Sequence, residues 1–314
     1  MKIVILDYAT LETGDISPLN NLATELITYS NTQPNEVVER CIDADIVITN
    51  KVVINAKSLA QLTHTKLICI AATGTNNVDL SAANNNNIAV TNVAGYSTAS
   101  VAQHTFSLLF NLIGNTHRYI LDCQKGVWQN SEHFCYIDKP ITEISGKTLG
   151  IIGYGDLGQA IAQIAKAFGL TVLVAERKGQ KPRSGRVSFD EMLNRADIIS
   201  LHCPLTDETK NLIGKQELSK MKPNCLLINT ARGGIVDELA LVDALKQGVI
   251  AGAAFDVLTQ EPAQETNPLI QYQAPNLILT PHIAWASKES VSRLIKQIAL
   301  NINAFQQGKL RNRV

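Results

Sequence analysis

An apolar run, Thr148-Leu-Gly-Ile-Ile, breaks into three glycines at Gly153, Gly155 and Gly158, and a helix-patterned stretch starts at once. No other feature of the chain narrows its fold as much. The pattern calls for a strand, a tight turn and a helix in succession. The first glycine permits the turn, the second lets a pyrophosphate approach the backbone, and the third lets helix and strand pack closely. Glycines at this spacing also occur as plain packing turns, so the surroundings decide. Leu157, Ile161, Ile164, Ala165 and Phe168 fall on one helical face, Gly169 is placed to end the helix, and Thr171 to Ala175 forms the next strand-like run. A whole βαβ unit is present, and the amino end of its helix, from Asp156 and Leu157, faces the phosphate position.

Glu176 ends the second strand of this unit, eighteen residues after Gly158. A carboxylate there can accept hydrogen bonds from both hydroxyls of the adenosine ribose, which favours NAD over NADP. Arg177 and Lys178 follow directly and offer cations to a 2′-phosphate, so NADP stays open. Repulsion between a carboxylate and a phosphate charge at ~4 Å costs about 4 kcal/mol at an effective dielectric near 20, and exposed cations recover only part of it. NAD is therefore the expected cofactor.

The unit sits inside a longer α/β series. Before it, strand-like runs at Lys2 to Leu6, Asp45 to Thr49, Lys66 to Ala71 and Ala89 to Val93 alternate with polar or helical stretches. After it come Ile198 to His202, Leu226 to Asn229, Gly252 to Val257 and Leu277 to Thr280. Such alternation implies parallel sheets, and 314 residues suffice for two domains with separate cores. A long helix is expected from Thr98 to Tyr119, and a closing amphipathic helix carries Val291, Leu294, Ile295, Ile298, Ile302 and Phe305. The Asn84 to Asn87 run reads as a polar loop after a short helix.

Charge excludes some partners. Lys and Arg number 28 against 28 Asp and Glu, and no run of Lys and Arg marks a basic patch, so no broad field draws the chain to nucleic acid or to an anionic lipid surface. The apolar stretch at the amino terminus is too short for a signal peptide or a membrane span. Six cysteines lie scattered without a CxxC pair, which suggests neither a metal site nor a disulfide framework and makes a reducing cytoplasm the expected setting.

Three polar residues each follow a strand-like run: Arg232, Glu261 and His282. All three therefore belong at the carboxyl edge of a parallel sheet, where open α/β folds bind ligands. Their chemistry fits reduction of a 2-keto acid. A guanidinium holds a carboxylate in bidentate fashion and polarises the neighbouring carbonyl. A histidine paired with a carboxylate holds a proton for the developing alkoxide. Taken singly, each has a bland reading as a turn or surface residue, and it is the combination that points to a site. His64, His104, His117, His133 and His202 have no comparable pattern and read as packing or surface residues, while Trp285 fits either a substrate crevice or a core.

Several segments together resemble one family: GYGDLG with its trailing Glu176, HCPLTDETKNLI from His202, NTARGGIVDE from Asn229, AFDVLTQEP from Ala254 and PHIAWAS from Pro281. From about Ile68 through Ser287 the chain is similar to the D-isomer-specific 2-hydroxyacid dehydrogenases, and its PHIAWAS segment is most similar to the glycerate dehydrogenases, also called hydroxypyruvate reductases. The resemblance implies a Rossmann domain, residues 98–285, inserted into a flavodoxin-like substrate domain built from residues 1–97 and 286–314. It implies that Arg232 binds substrate, that His282 exchanges the proton and that Glu261 partners it. Backbone amides at Thr73, Gly74 and Thr75 would hold the substrate carboxylate. Pro204, Thr206, Thr230, Ala231 and Asp256 would contact the cofactor beside the glycine turn, Glu176, Arg232 and His282, with Asp256 near the nicotinamide amide. Residues 98–146 would form the arm of a homodimer. Two departures stand out. Glu176 occupies a position where many relatives have Asp, and Glu261 stands where related formate dehydrogenases have Gln, which argues against formate. Phosphoglycerate oxidation, a broader 2-keto acid reduction and a dinucleotide-sensing corepressor role remain as alternatives.

Overall fold

The computed structural model describes all 314 residues, which divide into two compact units, Met1–Ser97 with Trp285–Val314, and Thr98–Ala284. The unit boundary falls at Trp285, one residue before the expected 286, where the indole packs edge-on to Tyr96 with ring centroids 6.5 Å apart.

The first unit holds a five-stranded parallel sheet in the order β2-β1-β3-β4-β5, from β1 (Lys2–Ile5), β2 (Glu25–Thr28), β3 (Ile46–Thr49), β4 (Leu67–Ile70) and β5 (Ala89–Thr91). Its central strands are apolar throughout because both faces are covered. Ile3, Ile5, Ile46, Ile48, Leu67 and Cys69 pack on one side against Val291, Leu294, Ile295, Ile298 and Ile302 of the Lys288–Gln306 helix. Val4, Leu6, Val47, Ile68 and Ile70 pack on the other against Val37, Leu59 and Ala83. The chain's last residues also join this sheet, since the Val314 amide donates to the Val90 carbonyl and Asn92 to the Asn312 carbonyl.

The second unit carries β6 (Thr148–Ile152), β7 (Thr171–Val174), β8 (Ile198–Leu201), β9 (Leu226–Asn229), β10 (Gly252–Phe255) and β11 (Leu277–Leu279), all parallel, in the order β11-β10-β9-β8-β6-β7. One further residue, Val187, bridges in parallel to Ala175 beyond β7. Counting it, the order is the 3-2-1-4-5-6 of a dinucleotide-binding sheet with one strand added, its third strand reduced to a single bridge. The expected 98–119 helix breaks at Asn115, whose left-handed φ of 49° separates Thr98–Gly114 from Thr116–Gln124. Beyond the break, Lys139 is caged by Asp122 at 2.7 Å, Asp138 at 2.6 Å and the rings of Tyr119 and Tyr136, while Phe134, Ile137 and Ile141 stand exposed. No helix is long and apolar enough to cross a membrane.

Candidate active site

The three glycines after β6 do three different things. Gly153 has φ +93°, and a Cβ there would lie 2.5 Å from the Cys203 amide nitrogen, so the turn admits no side chain. A Cβ on Gly158 would meet the Gly153 carbonyl oxygen at 2.2 Å, which is the close approach of helix to strand. A Cβ on Gly155 would meet nothing within 4 Å. That residue is required neither by the chain's own packing nor by φ, and it caps the Asp156–Ala167 helix on the side where a pyrophosphate would approach. The turn thus fits the cofactor that its sequence suggested.

Glu176 is only 3% exposed, and the chain's own donors already engage it. Arg183 grips it in bidentate fashion, Nε to Oε2 at 2.6 Å and Nη2 to Oε1 at 2.7 Å. The amides of Arg177 and Arg183 add 3.0 and 3.3 Å contacts, and Arg186 lies 3.7 Å away. The Arg183 guanidinium and these amides hold the carboxyl down at about 2. Lys178, a cation that could have met a 2′-phosphate, donates to Glu217 at 2.9 Å.

Arg232, Glu261 and His282 all lie in the second unit, in the loops that leave β9, β10 and β11 at the carboxyl edge. The His282 Nδ1 and Glu261 Oε2 are 2.6 Å apart, and Glu261 Oε1 accepts from the Leu258 amide at 2.9 Å, which fixes the carboxylate plane. The Arg232 guanidinium donates to its neighbour's carbonyl, Ala231, at 2.7 Å. Two residues that the sequence did not single out build this corner. Asn229 staples the loop, donating to the Arg232 carbonyl and accepting from the Ala231 amide. Gly233 lets the loop lie against the next one, because a Cβ there would sit 1.8 Å from the Leu258 carbonyl oxygen. The repeated glycine in NTARGGIVDE was the available signal.

His282 is held at φ +54°, a conformation costing a non-glycine residue about 1 kcal/mol or more. Asp256 holds it there. Buried to 1% exposure, its Oδ1 accepts from Thr280 at 2.6 Å and from the Ile283 amide at 3.0 Å, and its Oδ2 from the Ala284 amide at 2.9 Å. Asp256 was expected beside the nicotinamide amide, and the structure commits its carboxylate to the turn that carries His282. Thr280 has one proton and gives it to Asp256, so His104 Nε2, 3.0 Å from that hydroxyl, is the donor. His104, read from sequence as a packing residue, is thus tied to the same network, through partners 176 and 152 residues away that no local pattern reveals.

Other expected positions are less directed toward a ligand. The Thr230 hydroxyl is 3.0 Å from that of Thr105 on the Thr98–Gly114 helix, with its backbone lying on the loop toward Ala231 and Arg232. Pro204 and Thr206 form an exposed turn after β8, closed by Thr209, whose hydroxyl bonds to both. His202 is half-buried there, its Nδ1 atom enclosed and without a hydrogen-bond partner, and desolvation pushes its imidazole down to about 3, so it stays neutral. In the first unit, Thr73, Gly74 and Thr75 follow β4 at its carboxyl edge, braced by the Asn92 side chain on the Thr73 carbonyl at 2.8 Å and by the Thr73 hydroxyl on Val93. Trp285 is partly buried and packs against the core of that unit. No group of three His, Cys, Asp or Glu side chains is arranged to hold a metal ion.

A model of the family described as D-isomer specific 2-hydroxyacid dehydrogenase, NAD binding domain, matches residues 106–284. The chain is 46% identical to a glycerate dehydrogenase of Methylorubrum extorquens, over 99% of its own length and 98% of that protein. It is 38% identical to a hydroxypyruvate reductase of Blautia hydrogenotrophica, covering 98% of each. Among solved structures, an acyclic imino acid reductase in complex with NADPH and D-Arg superposes with a TM-score of 0.84 at 31% identity over 100% of both chains. The matching glycine turn, the His282 and Glu261 pair and these full-length similarities agree, and the chain belongs to the D-isomer-specific 2-hydroxyacid dehydrogenase family, with its nicotinamide dinucleotide domain in residues 106–284.

Proposed function

We propose that the protein interconverts hydroxypyruvate and D-glycerate, with glyoxylate as a secondary substrate. The observation that carries this is the 2.6 Å contact of His282 with Glu261 at the carboxyl edge of the sheet that bears the glycine turn. The names of the relatives at 46% and 38% identity supply the substrate class.

When bound, the nicotinamide supplies or accepts the hydride. Gly153, Gly155 and Gly158, with the helix start at Asp156 and Leu157, receive its pyrophosphate, and Glu176 lies at its adenosine ribose. Pro204, Thr206, Thr230 and Ala231 border the remaining length. Arg232 holds the substrate carboxylate and polarises the carbonyl beside it, and the amides of Thr73, Gly74 and Thr75 are assigned to substrate binding. Glu261 stabilises a proton on His282 Nδ1, which leaves Nε2 to give its proton to the alkoxide during reduction and to take it back during oxidation. Asp256, Thr280 and His104 hold the turn on which that nitrogen is carried. Measuring loss of reduced-nicotinamide absorbance with hydroxypyruvate, glyoxylate, pyruvate and a phosphorylated 3-carbon 2-keto acid tests the assignment. Fastest turnover of hydroxypyruvate supports it, preference for the phosphorylated acid overturns the substrate, and no turnover with any of them favours a sensor role.

The same reading places the protein in the cytoplasm as a homodimer joined through residues 98–146. Exposed Phe134, Ile137 and Ile141 on that arm support the dimer. Six unpaired cysteines support a reducing compartment, with the thiols of Cys41, Cys69 and Cys225 pushed up to about 12 by burial.

A further inference from the structure

Two residues past β7, Glu176 is followed by Arg177, Lys178, Lys181, Arg183 and Arg186, so five cations share ten residues with no second acid. The 177–186 segment is a closed loop. It leaves β7 at Glu176 and returns to the sheet at Val187, whose carbonyl accepts from the Glu176 amide at 2.9 Å. Gly179 and Gly185, both at φ +76°, allow its turns, and an Arg186 amide bond to the Arg183 carbonyl at 3.1 Å closes the second one. Arg183 is therefore held in place at its backbone while its side chain is 63% exposed.

An acid at this position ordinarily discriminates by charge: it accepts the ribose diol and repels a 2′-phosphate. Here both carboxylate oxygens are already gripped by a guanidinium, so a diol must displace Arg183 to reach them. A 2′-phosphate need not. The planar fork that fits a carboxylate fits a phosphate equally well, and Arg183 can turn from one to the other about an exposed stem. Glu176 would not be orphaned by that exchange, since it keeps the amides of Arg177 and Arg183 and the nearby Arg186. Lys178 is spent on Glu217 and supplies nothing to the exchange.

We propose that Arg183 is a specificity-determining residue that masks the acid at the adenosine ribose, so that the protein accepts 2′-phosphorylated dinucleotides alongside NAD(H). This rests on the nucleotide site of the function proposed above, and it goes beyond that reading by assigning the choice at the ribose to an arginine switch. Removing the guanidinium exposes Glu176, which then takes a diol more readily and repels a phosphate.

The test is isothermal titration calorimetry with AMP, adenosine 2′,5′-bisphosphate, NADH and NADPH, on the unaltered protein and on Arg183→Ala, Arg183→Lys and Glu176→Gln, each checked by circular dichroism to be fully folded at the assay temperature. For the unaltered protein the bisphosphate is expected to bind within tenfold of AMP. Arg183→Ala should weaken the bisphosphate and NADPH at least tenfold while AMP and NADH stay level or tighten. Arg183→Lys should fall between, and Glu176→Gln should tighten the 2′-phosphorylated pair. If Arg183→Ala shifts both pairs alike or neither, or if the unaltered protein discriminates against the 2′-phosphate by more than a hundredfold, the switch is overturned. If the unaltered protein binds none of the four ligands, the nucleotide site itself is wrong, a failure that is distinct from the first.

Discussion

Replacing Asp256 with Ala isolates the part of the site that works through geometry alone. The carboxylate accepts three hydrogen bonds, from Thr280 at 2.6 Å and from the Ile283 and Ala284 amides at 3.0 and 2.9 Å, in a setting only 1% exposed. Bonds to a charged acceptor are worth about 1.5 to 3 kcal/mol each, which sets a ceiling of roughly 4.5 to 9 kcal/mol for three. A water entering the hole would satisfy one or two of the three donors, so the expected loss of stability is about 3 to 5 kcal/mol. The cost falls on one turn. His282 sits there at φ +54°, and without the two anchored amides behind it the backbone relaxes toward an unstrained region, taking the ring away from Glu261. A displacement of ~1 Å at a reacting group lowers turnover roughly a hundredfold. Stopped-flow or steady-state kcat with hydroxypyruvate reads the second effect, and amide exchange at Ile283 and Ala284, with urea unfolding, reads the first. Dinucleotide affinity should stay within a fewfold. An Asp256→Ala protein that keeps its kcat and its amide protection would refute the claim that this carboxylate holds the catalytic turn.

The other expectations concern single contacts. His282→Ala should lower kcat by about 10² to 10⁴ while leaving NADH affinity, measured by fluorescence titration, nearly unchanged, since its proton is needed in the transition state; equal losses in both would contradict the role. Gly155→Ala should fold with a normal melting temperature yet bind nucleotide at least tenfold more weakly, whereas Gly158→Ala should lose stability first, because its methyl would meet a carbonyl oxygen at 2.2 Å; similar melting curves for the two would refute the separation. Glu176, held at about 2 by Arg183, contributes stability that is present above the ordinary carboxyl value of 4.5 and lost as pH falls toward 2. In circular-dichroism melts the advantage of the unaltered protein over Glu176→Gln should therefore shrink below pH 4.5, and a constant advantage down to pH 2 would show that the clamp does not matter to stability.

Much of this molecule can be read from its sequence because its sheets are buried on both faces and parallel. Such strands are unbroken apolar runs, and runs like Ile46 to Thr49 or Leu67 to Ile70 are visible without any partner in hand. β2 escapes the same reading. It lies at the sheet edge with Glu25 and Thr28 exposed, so its residues alternate too weakly to be told from a loop. The break at Asn115 escapes as well, because the apolar spacing continues across it and only the left-handed backbone of one residue ends the helix. In the candidate site, the placement of Arg232, Glu261 and His282 at the carboxyl edge is legible because each follows a strand, and that position is a sequence property. Asn229, Gly233 and His104 are not, since their roles come from loops and helices that meet only after folding. The Arg183 grip on Glu176 is hidden for a related reason, a loop of ten residues that turns back on itself.

The first unit draws its residues from both sides of the second, and this sets an order of events on the ribosome. Residues 98–284 are continuous, so the dinucleotide unit can close its sheet as soon as β11 emerges. The first sheet is made earlier and finished later. Until Lys288–Gln306 is synthesised, Ile3, Ile5, Ile46, Ile48 and Leu67 have no cover on that face, and the β5 edge waits for residues 312–314. During that interval the nascent chain presents an apolar sheet surface, the kind of surface that chaperones bind and that drives aggregation at high expression. A substitution on the buried face of the last helix would thus show itself first as a yield of insoluble protein and only afterwards, in the molecules that do fold, as nearly ordinary catalysis.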